Sequence, residues 1–425
     1  AILASTLISN KISKVEGDKD ELIWNLEYGT ILSAKGDLNE SIEVFDHAEN
    51  MINQYEEEAK LSVAKEAGAL LTNQANLPYR GRSYDKIMVN TYKALNYMIL
   101  GESEKARVEL NRSLQRQQDA VAENSKEISE MQELAEKSKK GELVAEVEGA
   151  EGEEVADAEG EEVAEPEYDI DRAQGDPQFA AAVDEQMSAV DARLLAYASY
   201  VNPFSVFLDG IFFCYRGESN SDFERARKSL ERVKGMSPGK YISEDYAMVE
   251  AVGNGQSRSP TTYILFMTGS APSRKQIRID IPVFLVSDNV SYVGAAFPKL
   301  EYHDEFIKGI TASFTNGNSY TDELLCDMDA VISKDFKDGW PTVLTKTLIS
   351  TATKAMAAYA IEKAAAETGS IWVKYGTKIA TIGYQAGVNI SDTRTWRTLP
   401  KQISYIRRPT PINGELDLTV GTRSI

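Results

Sequence analysis

Apolar positions recur at helical spacing through the first part of the chain. The stretch 24–48 places Trp24, Tyr28 and Leu32 on one helical face, and Gly36 starts a turn before a second apolar period. Small residues alternating with large ones on two helices joined by a tight turn are typical of a tetratricopeptide-like (TPR-like) hairpin. The pattern predicts one such hairpin here.

Two further stretches repeat this pattern. Residues 90–113 contain a turn at Gly101, and residues 203–238 contain a turn near Ser219. The turn glycines Gly36 and Gly101 are 65 positions apart, nearly two TPR lengths of roughly 34 residues, which leaves room for a degenerate hairpin between them. The sequence predicts three or four hairpins stacked as a short helical solenoid. Unrelated helical hairpins that share a generic apolar period are the alternative.

A long helix is predicted between the second and third copies. Helical periodicity continues without a break from Glu104 to about Lys140, and at 1.5 Å per residue such a helix is about 55 Å long. A second helical segment, 179–200, is expected to lie antiparallel to it and form a projecting helical hairpin. The predicted tip is a solvated loop over residues 141–172, because 14 carboxylates between Gly141 and Asp171 repel one another.

The period changes from helical to extended at about residue 261. Ile277, Ile279 and Ile281 alternate with Arg278 and Asp280, which is the pattern of a half-buried strand. With three other candidate segments between residues 261 and 314, this predicts a small antiparallel sheet.

Helical patterns return over residues 321–390. We predict a helix over 321–337 capped by Thr321 or Asp322, a second helix that opens at Trp340 and Pro341, and a third over 371–385. A short extended tail contains Arg407 and Arg408 and follows these helices.

The patterns together predict a mainly α fold with a small antiparallel β-sheet. A TPR-like helical solenoid with a projecting helical hairpin is followed by an α+β C-terminal domain. The predicted order is repeats and long helix over 1–140, acidic loop over 141–172, return helix and third hairpin over 173–250, and the α+β domain over 251–425.

Charge narrows the range of partners. The formal net charge is −20, but the 14 carboxylates of the acidic loop supply most of it, so the rest of the chain is only mildly acidic. Nucleic-acid binding depends on clustered cations, and we therefore expect no nucleic-acid partner. The longest uncharged stretches, 194–208 and 259–273, are shorter than the roughly 18 residues a transmembrane helix needs, so we expect no transmembrane segment.

The cysteines and the start of the chain give little further information about function or location. Cys214 and Cys326 lie far apart with no neighbouring ligand residues, which favours two buried thiols over a disulfide or a zinc site. The sequence starts at Ala1 without a visible leader. Removal of a leader and trimming of the initiator Met are both open interpretations.

The sequence offers little catalytic chemistry. It has only two histidines, and it lacks a nucleophile elbow, a phosphate-binding loop and a dinucleotide-binding glycine motif. Asp327 and Asp329 are the most suggestive carboxylate pair, although residues two apart on a helix point in different directions. We therefore predict no enzyme activity, no cofactor and no metal, with a glycan hydrolase that uses paired carboxylates as an alternative.

The segment 392–400, DTRTWRTLP, stands out near the C-terminus. Arg394 suits bidentate carboxylate recognition and Trp396 suits an interface anchor, so the segment is a candidate docking epitope. The alternative is a structural lock in which Arg394 pairs internally and Trp396 fills the core. A Trp396→Ala variant separates the two, since only the lock predicts a lower melting temperature.

A series of motifs in order resembles a known family. The motifs are KALNYMILGESEKARVELNR (93–112), YVNPFSVFLDG (200–210), FMTGSAPSRKQIRIDIP (266–282), AAFPKL (295–300), DMDAVISKDF (327–336) and DTRTWRTLP. They resemble an uncharacterised family of bacterial envelope lipoproteins with TPR-like repeats. The resemblance implies export to the periplasm, association with the outer membrane, and genes often adjacent to those of penicillin-binding-protein activators. The chain departs from the family by lacking a lipobox Cys at its start and by carrying the acidic insertion.

These observations lead to a functional hypothesis. We expect a non-catalytic protein–protein interaction scaffold of the bacterial cell envelope, which holds partner envelope proteins such as regulators of peptidoglycan synthesis. Candidate partner-binding residues on the repeats are Trp24, Tyr28, Tyr92 and Tyr97, with packing between helices as their alternative role. An oligomeric structural subunit of an outer-membrane ring or filament is the second hypothesis.

Overall fold

The computed structural model describes residues 2–61, 77–140, 168–286, 289–313, 319–368, 390–411, 417–420 and 423–424. These residues form a mainly helical protein with a small three-stranded antiparallel sheet and further small sheets. The predicted acidic loop and the predicted helix over 371–385 fall largely or wholly outside the described residues.

The described helices are α1 (Ile2–Val15), α2 (Glu21–Lys35), α3 (Leu38–Leu61), α4 (Ser83–Leu100), α5 (Ser103–Lys139), α6 (Ile170–Gln174), α7 (Pro177–Asp191), α8 (Pro203–Arg216), α9 (Asn220–Met236), α10 (Lys240–Gly253) and α11 (Met328–Thr368). The described strands are β1 (Thr261–Thr268), β2 (Ser273–Val286), β3 (Asn289–Glu301), β4 (Ile310–Ser313), β5 (Ser319–Thr321), β6 (Glu323–Asp327), β7 (Gln402–Pro409), β8 (Asp417–Val420) and β9 (Arg423–Ser424).

Three helical hairpins occupy the stretches where the sequence predicts them. They are α2–α3, α4–α5 and α8–α9, and each pair packs along its length. Gly29 allows the close approach in the first hairpin, because a Cβ there would lie 2.6 Å from the ring of Phe45. Gly210 has the same role in the third hairpin, where a Cβ would lie 2.7 Å from Leu230. The small residues of the pattern therefore set the spacing between helices.

The long helix α5 has 37 residues and matches the predicted helix closely, but its packing partner differs from the expectation. It packs against α4, α8 and the C-terminal helix α11. The expected return helix is shorter, ending at Asp191, and α7 packs against β2 and α11 instead. Its apolar residues Phe179 and Val190 are buried, and Phe179 faces Phe297 of β3. The predicted pairing of these two helices was wrong, because a sheet competes for the same apolar stripe.

The strands form three sheets in place of the single predicted one. The three-stranded sheet has the order β1-β7-β6, so the C-terminal tail is its central strand. Thr261 pairs with Pro409 and Thr268 with Gln402 along this antiparallel ladder. Strands β2 and β3 form a separate long hairpin, and β5-β4-β8-β9 form the third sheet. Tail residues such as Ile403, Tyr405 and Ile406 are buried as a result.

The predicted helix over 321–337 begins later than expected. Residues up to Asp327 belong to β5 and β6, and α11 starts at Met328. Asp327 caps this helix by accepting a hydrogen bond from the backbone N–H of Ala330 at 3.3 Å. Helix α11 then runs through Pro341 to Thr368 as one element, although a proline was expected to open a new helix.

The apolar core runs from the helical hairpins into the sheets. Cys214 and Cys326 are free, buried thiols, as the sequence predicts, and burial raises the pKa of Cys214 to about 11. Within the described ranges, every helix is too short or too polar to cross a bilayer.

Candidate functional site

The segment 390–401 crosses the helices α2, α3 and α4, and we call it the inserted segment. Its anchor is Trp396, which is fully buried. The Trp396 ring lies 5.9 Å from the rings of both Phe45 and Tyr92, measured between centroids. Its indole N–H donates hydrogen bonds to the hydroxyls of Thr30 and Thr398 at 3.0 and 2.9 Å. An aromatic side chain with a satisfied polar edge is the usual form of a buried anchor.

Glu27 on α2 binds the backbone of the inserted segment. Its carboxylate accepts the backbone N–H of Arg397 at 2.6 Å and that of Thr398 at 3.0 Å. Burial raises the pKa of Glu27 above its usual value, while these hydrogen bonds oppose the shift. A carboxylate that accepts two consecutive amides binds the backbone of the turn at Arg397 and Thr398 and not a particular side chain. Sequence analysis did not single out Glu27, because its partners lie 370 residues away.

Arg394 fixes the start of the inserted segment. Its guanidinium forms ion pairs with Asp392 at 2.8 Å and with Asp20 at 3.1 Å. It also donates to the backbone carbonyl oxygens of Lys19 and Leu77 at 3.2 and 2.8 Å. All of these partners are internal, so both Arg394 and Trp396 occupy the positions that a structural lock requires. The docking-epitope interpretation was wrong, because a partner cannot reach Trp396 in the folded chain.

The four aromatic candidates on the repeats do not share one surface. Tyr92 is buried against Phe45 and Trp396, which corrects its assignment to an accessible partner face. Trp24 is half-buried beside the Lys11 ammonium, and Tyr28 donates a hydrogen bond to Glu40 at 2.8 Å. Tyr97 is half-buried, with the Lys105 ammonium 5.3 Å from its ring centroid.

A buried ion network joins α3, α4 and α5 nearby. The Lys93 ammonium is fully buried and lies 2.5 Å from Glu49, 2.7 Å from Asp46 and 3.1 Å from Glu109. Asn90 donates to Glu49 and Glu109 at 2.8 and 2.7 Å. Three carboxylates around one buried cation stabilise it against the cost of desolvation. The network explains why α3, α4 and α5 keep a fixed register.

The suspected carboxylate pair serves two separate structural roles. Asp327 caps α11 and also accepts a hydrogen bond from Gln402 at 3.0 Å. Asp329 is buried, forms an ion pair with Lys401, and lies 3.4 Å from Arg193. Among the described side chains, no group of His, Cys, Asp and Glu residues is arranged to hold a metal ion.

We compared the chain with known proteins. No family model, curated protein or solved structure matches it.

Proposed function

We propose that the protein is a non-catalytic scaffold of the bacterial cell envelope whose TPR-like helices bind extended protein segments. The observation that carries this proposal is the inserted segment itself. The helical hairpins already hold, in cis, a stretch of chain that is neither helix nor strand, through one aromatic anchor and two backbone amides accepted by Glu27. Repeat solenoids bind extended partners through stacked helices in the same way.

The spacing of the hairpins supports a TPR-like origin. The small residues Gly29, Ala94 and Gly210 each lie seven positions before a glycine at the turn, which is Gly36, Gly101 and Gly217 respectively. In the first and third hairpins, the glycine that allows the close helix–helix contact therefore lies at the same distance from the turn. Unrelated hairpins have no reason to keep this spacing. The envelope location is proposed from the resemblance of the motifs alone.

The partner surface that we propose lies at the turn between α4 and α5. Ile99, Leu100 and Val108 flank this turn and remain 63%, 37% and 46% exposed. Tyr97 lies half-buried next to them. Apolar side chains clustered on a charged surface mark protein–protein contact sites. We place the partner here because the inserted segment already covers Tyr92.

The oligomer hypothesis depends on the edges of the β2–β3 hairpin. Neither strand pairs with a third strand among the described residues, and open edges favour self-association. Pro282 and Pro298 lie within the two strands, and a proline removes an N–H donor from an edge. The helical surface is therefore the better candidate for a partner.

Site-specific photocrosslinking in intact cells tests the proposal. A crosslinking residue at Ile99 should capture one discrete envelope protein, and Val108→Asp should abolish this product. Lys228, an exposed position on α9 with 68% side-chain exposure, is the control site and should not give the product. Identical products from both sites would refute the proposed surface.

A further inference from the structure

A polar pocket of about 230 Å³ lies where the helical hairpins meet the C-terminal elements. Its walls come from the start of α4, the middle of α5, the start of β2 and the helix α11. This volume is below the range of about 300–1,000 Å³ that is usual for sites of drug-sized ligands. A ligand that fills it must therefore be a very small molecule.

Arg274 is the most unusual side chain in this pocket. It is only 7% exposed, and its Nε atom has no hydrogen-bond partner in the described part of the chain. Its guanidinium lies over the Phe336 ring, 5.0 Å from the centroid. Burial lowers the pKa of Arg274 below its usual value, and the neighbouring Arg82 lowers it further. Among the described residues no carboxylate forms an ion pair with Arg274 within 4.0 Å, although the charge of Asp335 acts on it. Such a buried cation is costly, which favours the binding of an anion.

Arg82 brings a second guanidinium to the same wall. Its Nε atom is also buried without a hydrogen-bond partner among the described residues, and its nearest ion-pair contact is Asp392 at 3.9 Å. Two further buried polar atoms next to it, the Tyr84 hydroxyl and one Asp85 carboxylate oxygen, also lack described partners. Buried polar groups are nearly always paired, and here four unpaired ones lie in neighbouring residues.

A carboxylate on α11 provides the opposite charge. Asp335 lines the pocket, and the charges of Arg274 and Arg82 act on it and oppose the burial that raises its pKa. Three cations, Arg82, Lys86 and Arg274, share the pocket with three carboxylates, Glu123, Glu127 and Asp335. A phosphate ion would meet the arginines but also face these carboxylates. A molecule that carries both a negative and a positive charge can bind the arginines and the carboxylates of the pocket at the same time.

The backbone beside the pocket is held in an uncommon conformation. Tyr200 lines the pocket with φ of 58°, and it is the one residue other than glycine at positive φ among those described. Left-handed backbone is unfavourable for a bulky side chain, and such strain is concentrated at functional sites. The buried Tyr200 ring covers one side of the pocket.

We propose that this pocket binds a small zwitterion such as a free amino acid, with the ligand carboxylate on Arg274 and Arg82 and the ligand ammonium on Asp335. Both arginines line the pocket, and a guanidinium binds a carboxylate in a planar, bidentate manner. The ligand ammonium lies on the side of the pocket that Asp335 forms, opposite the ligand carboxylate. This site is independent of the partner surface at the α4–α5 turn.

Calorimetric titration of the full chain tests the proposal, with L-alanine, glycine, acetate, methylammonium and inorganic phosphate as probes. We expect saturable binding of alanine or glycine, and binding of acetate and methylammonium at least about 10-fold weaker, because each lacks one charge. Arg274→Gln should weaken amino-acid binding by about 10- to 100-fold. Arg278→Gln, an exposed arginine four positions further along the same strand, should leave it unchanged.

The thermal stability of the ligand-free variants separates a ligand site from a structural one. Arg274→Gln should change the melting temperature little, because the lost contact with the Phe336 ring is offset by the removal of a buried charge that makes no ion pair within 4.0 Å among the described residues. Asp335→Asn, at the half-buried rim of the pocket, provides a second variant and should also weaken binding. The proposal is overturned if no amino acid binds at millimolar concentration, if phosphate binds better than alanine, or if both variants bind as the wild type does.

Discussion

The Trp396→Ala variant probes the contact that joins the two ends of the chain. Trp396 is fully buried against Phe45 and Tyr92, and large aromatic residues bury about 150–250 Å² each. At about 25 cal/mol per Å² this corresponds to roughly 4–6 kcal/mol, and core Trp→Ala substitutions cost about 3–5 kcal/mol. Thr30 keeps a second hydrogen bond, to the Leu26 carbonyl at 3.0 Å, so no orphaned group adds to the cost. We therefore expect a loss of about 3–5 kcal/mol.

Urea unfolding followed by circular dichroism measures this loss. With a slope of about 3 kcal/mol per M, the midpoint of the transition should fall by about 1–2 M. Amide exchange should also accelerate at Arg397 and Thr398, whose N–H groups bind Glu27. The matched control is Trp24→Ala, which removes a half-buried ring and should cost much less. If Trp396→Ala unfolds at the wild-type midpoint, the segment does not lock the fold and the reasoning fails.

Three other perturbations follow from the same contacts. In thermal unfolding, Gly29→Ala should destabilise the protein by about 1–3 kcal/mol, because the added methyl group overpacks against Phe45. Gly235→Ala should instead stabilise it by about 0.5–1 kcal/mol, because a Cβ at this position in α9 meets open space. Lys93→Met should lower the free energy of unfolding by about 3–5 kcal/mol in urea at pH 7, because three carboxylates lose their buried cation. Lys105→Met removes an exposed ammonium and is the control. A smaller loss of stability for Lys93→Met than for Lys105→Met would contradict the role of the network. Burial raises the pKa of Asp335 to about 6 from an ordinary 3.8, so the native state binds more protons than the unfolded state between these values and stability falls as the pH rises through them. Asp335→Asn should remove this fall in melting temperature between pH 4 and pH 6, and an unchanged pH profile would show that this carboxyl does not have a raised pKa.

Local patterns predicted the helical part well because its contacts are short in sequence. The hairpin turns at Gly36 and Gly101 follow from glycine in the left-handed region, with φ of 91° and 76°. The helix α5 could be predicted from the helical spacing of its apolar residues, which continues without interruption. In these elements the residues that determine the structure lie within one or two helical turns of one another.

The sheets could not be predicted in the same way. Cys326 lies in β6 and pairs with Ile403 of β7, 77 positions further along the chain, and no local signal marks such a partner. Asp322 resembles a helix cap in sequence, yet its carboxylate accepts hydrogen bonds from Ile310 and Ser404 in neighbouring strands. Tertiary pairing thus overrode the local preference.

For the candidate sites too, the sequence predicted local features but not contacts between distant parts of the chain. The unusual composition of DTRTWRTLP identified Arg394 and Trp396 as important, but the sequence did not determine whether they face inward or outward. The pocket was not visible at all, because Arg82 and Arg274 are separated by 192 positions and only the folded chain brings them together.

The position of Trp396 also affects how the nascent chain matures. The first hairpin contains Thr30 and Phe45, and the side chain that completes its core is synthesised 366 residues after Thr30. Until then, the apolar surface that Trp396 covers on Phe45 and Tyr92 is open on a newly made polypeptide, and chaperones hold surfaces of this kind. A product truncated before this tryptophan would keep that surface uncovered, which gives the cell a simple basis for telling finished molecules from incomplete ones.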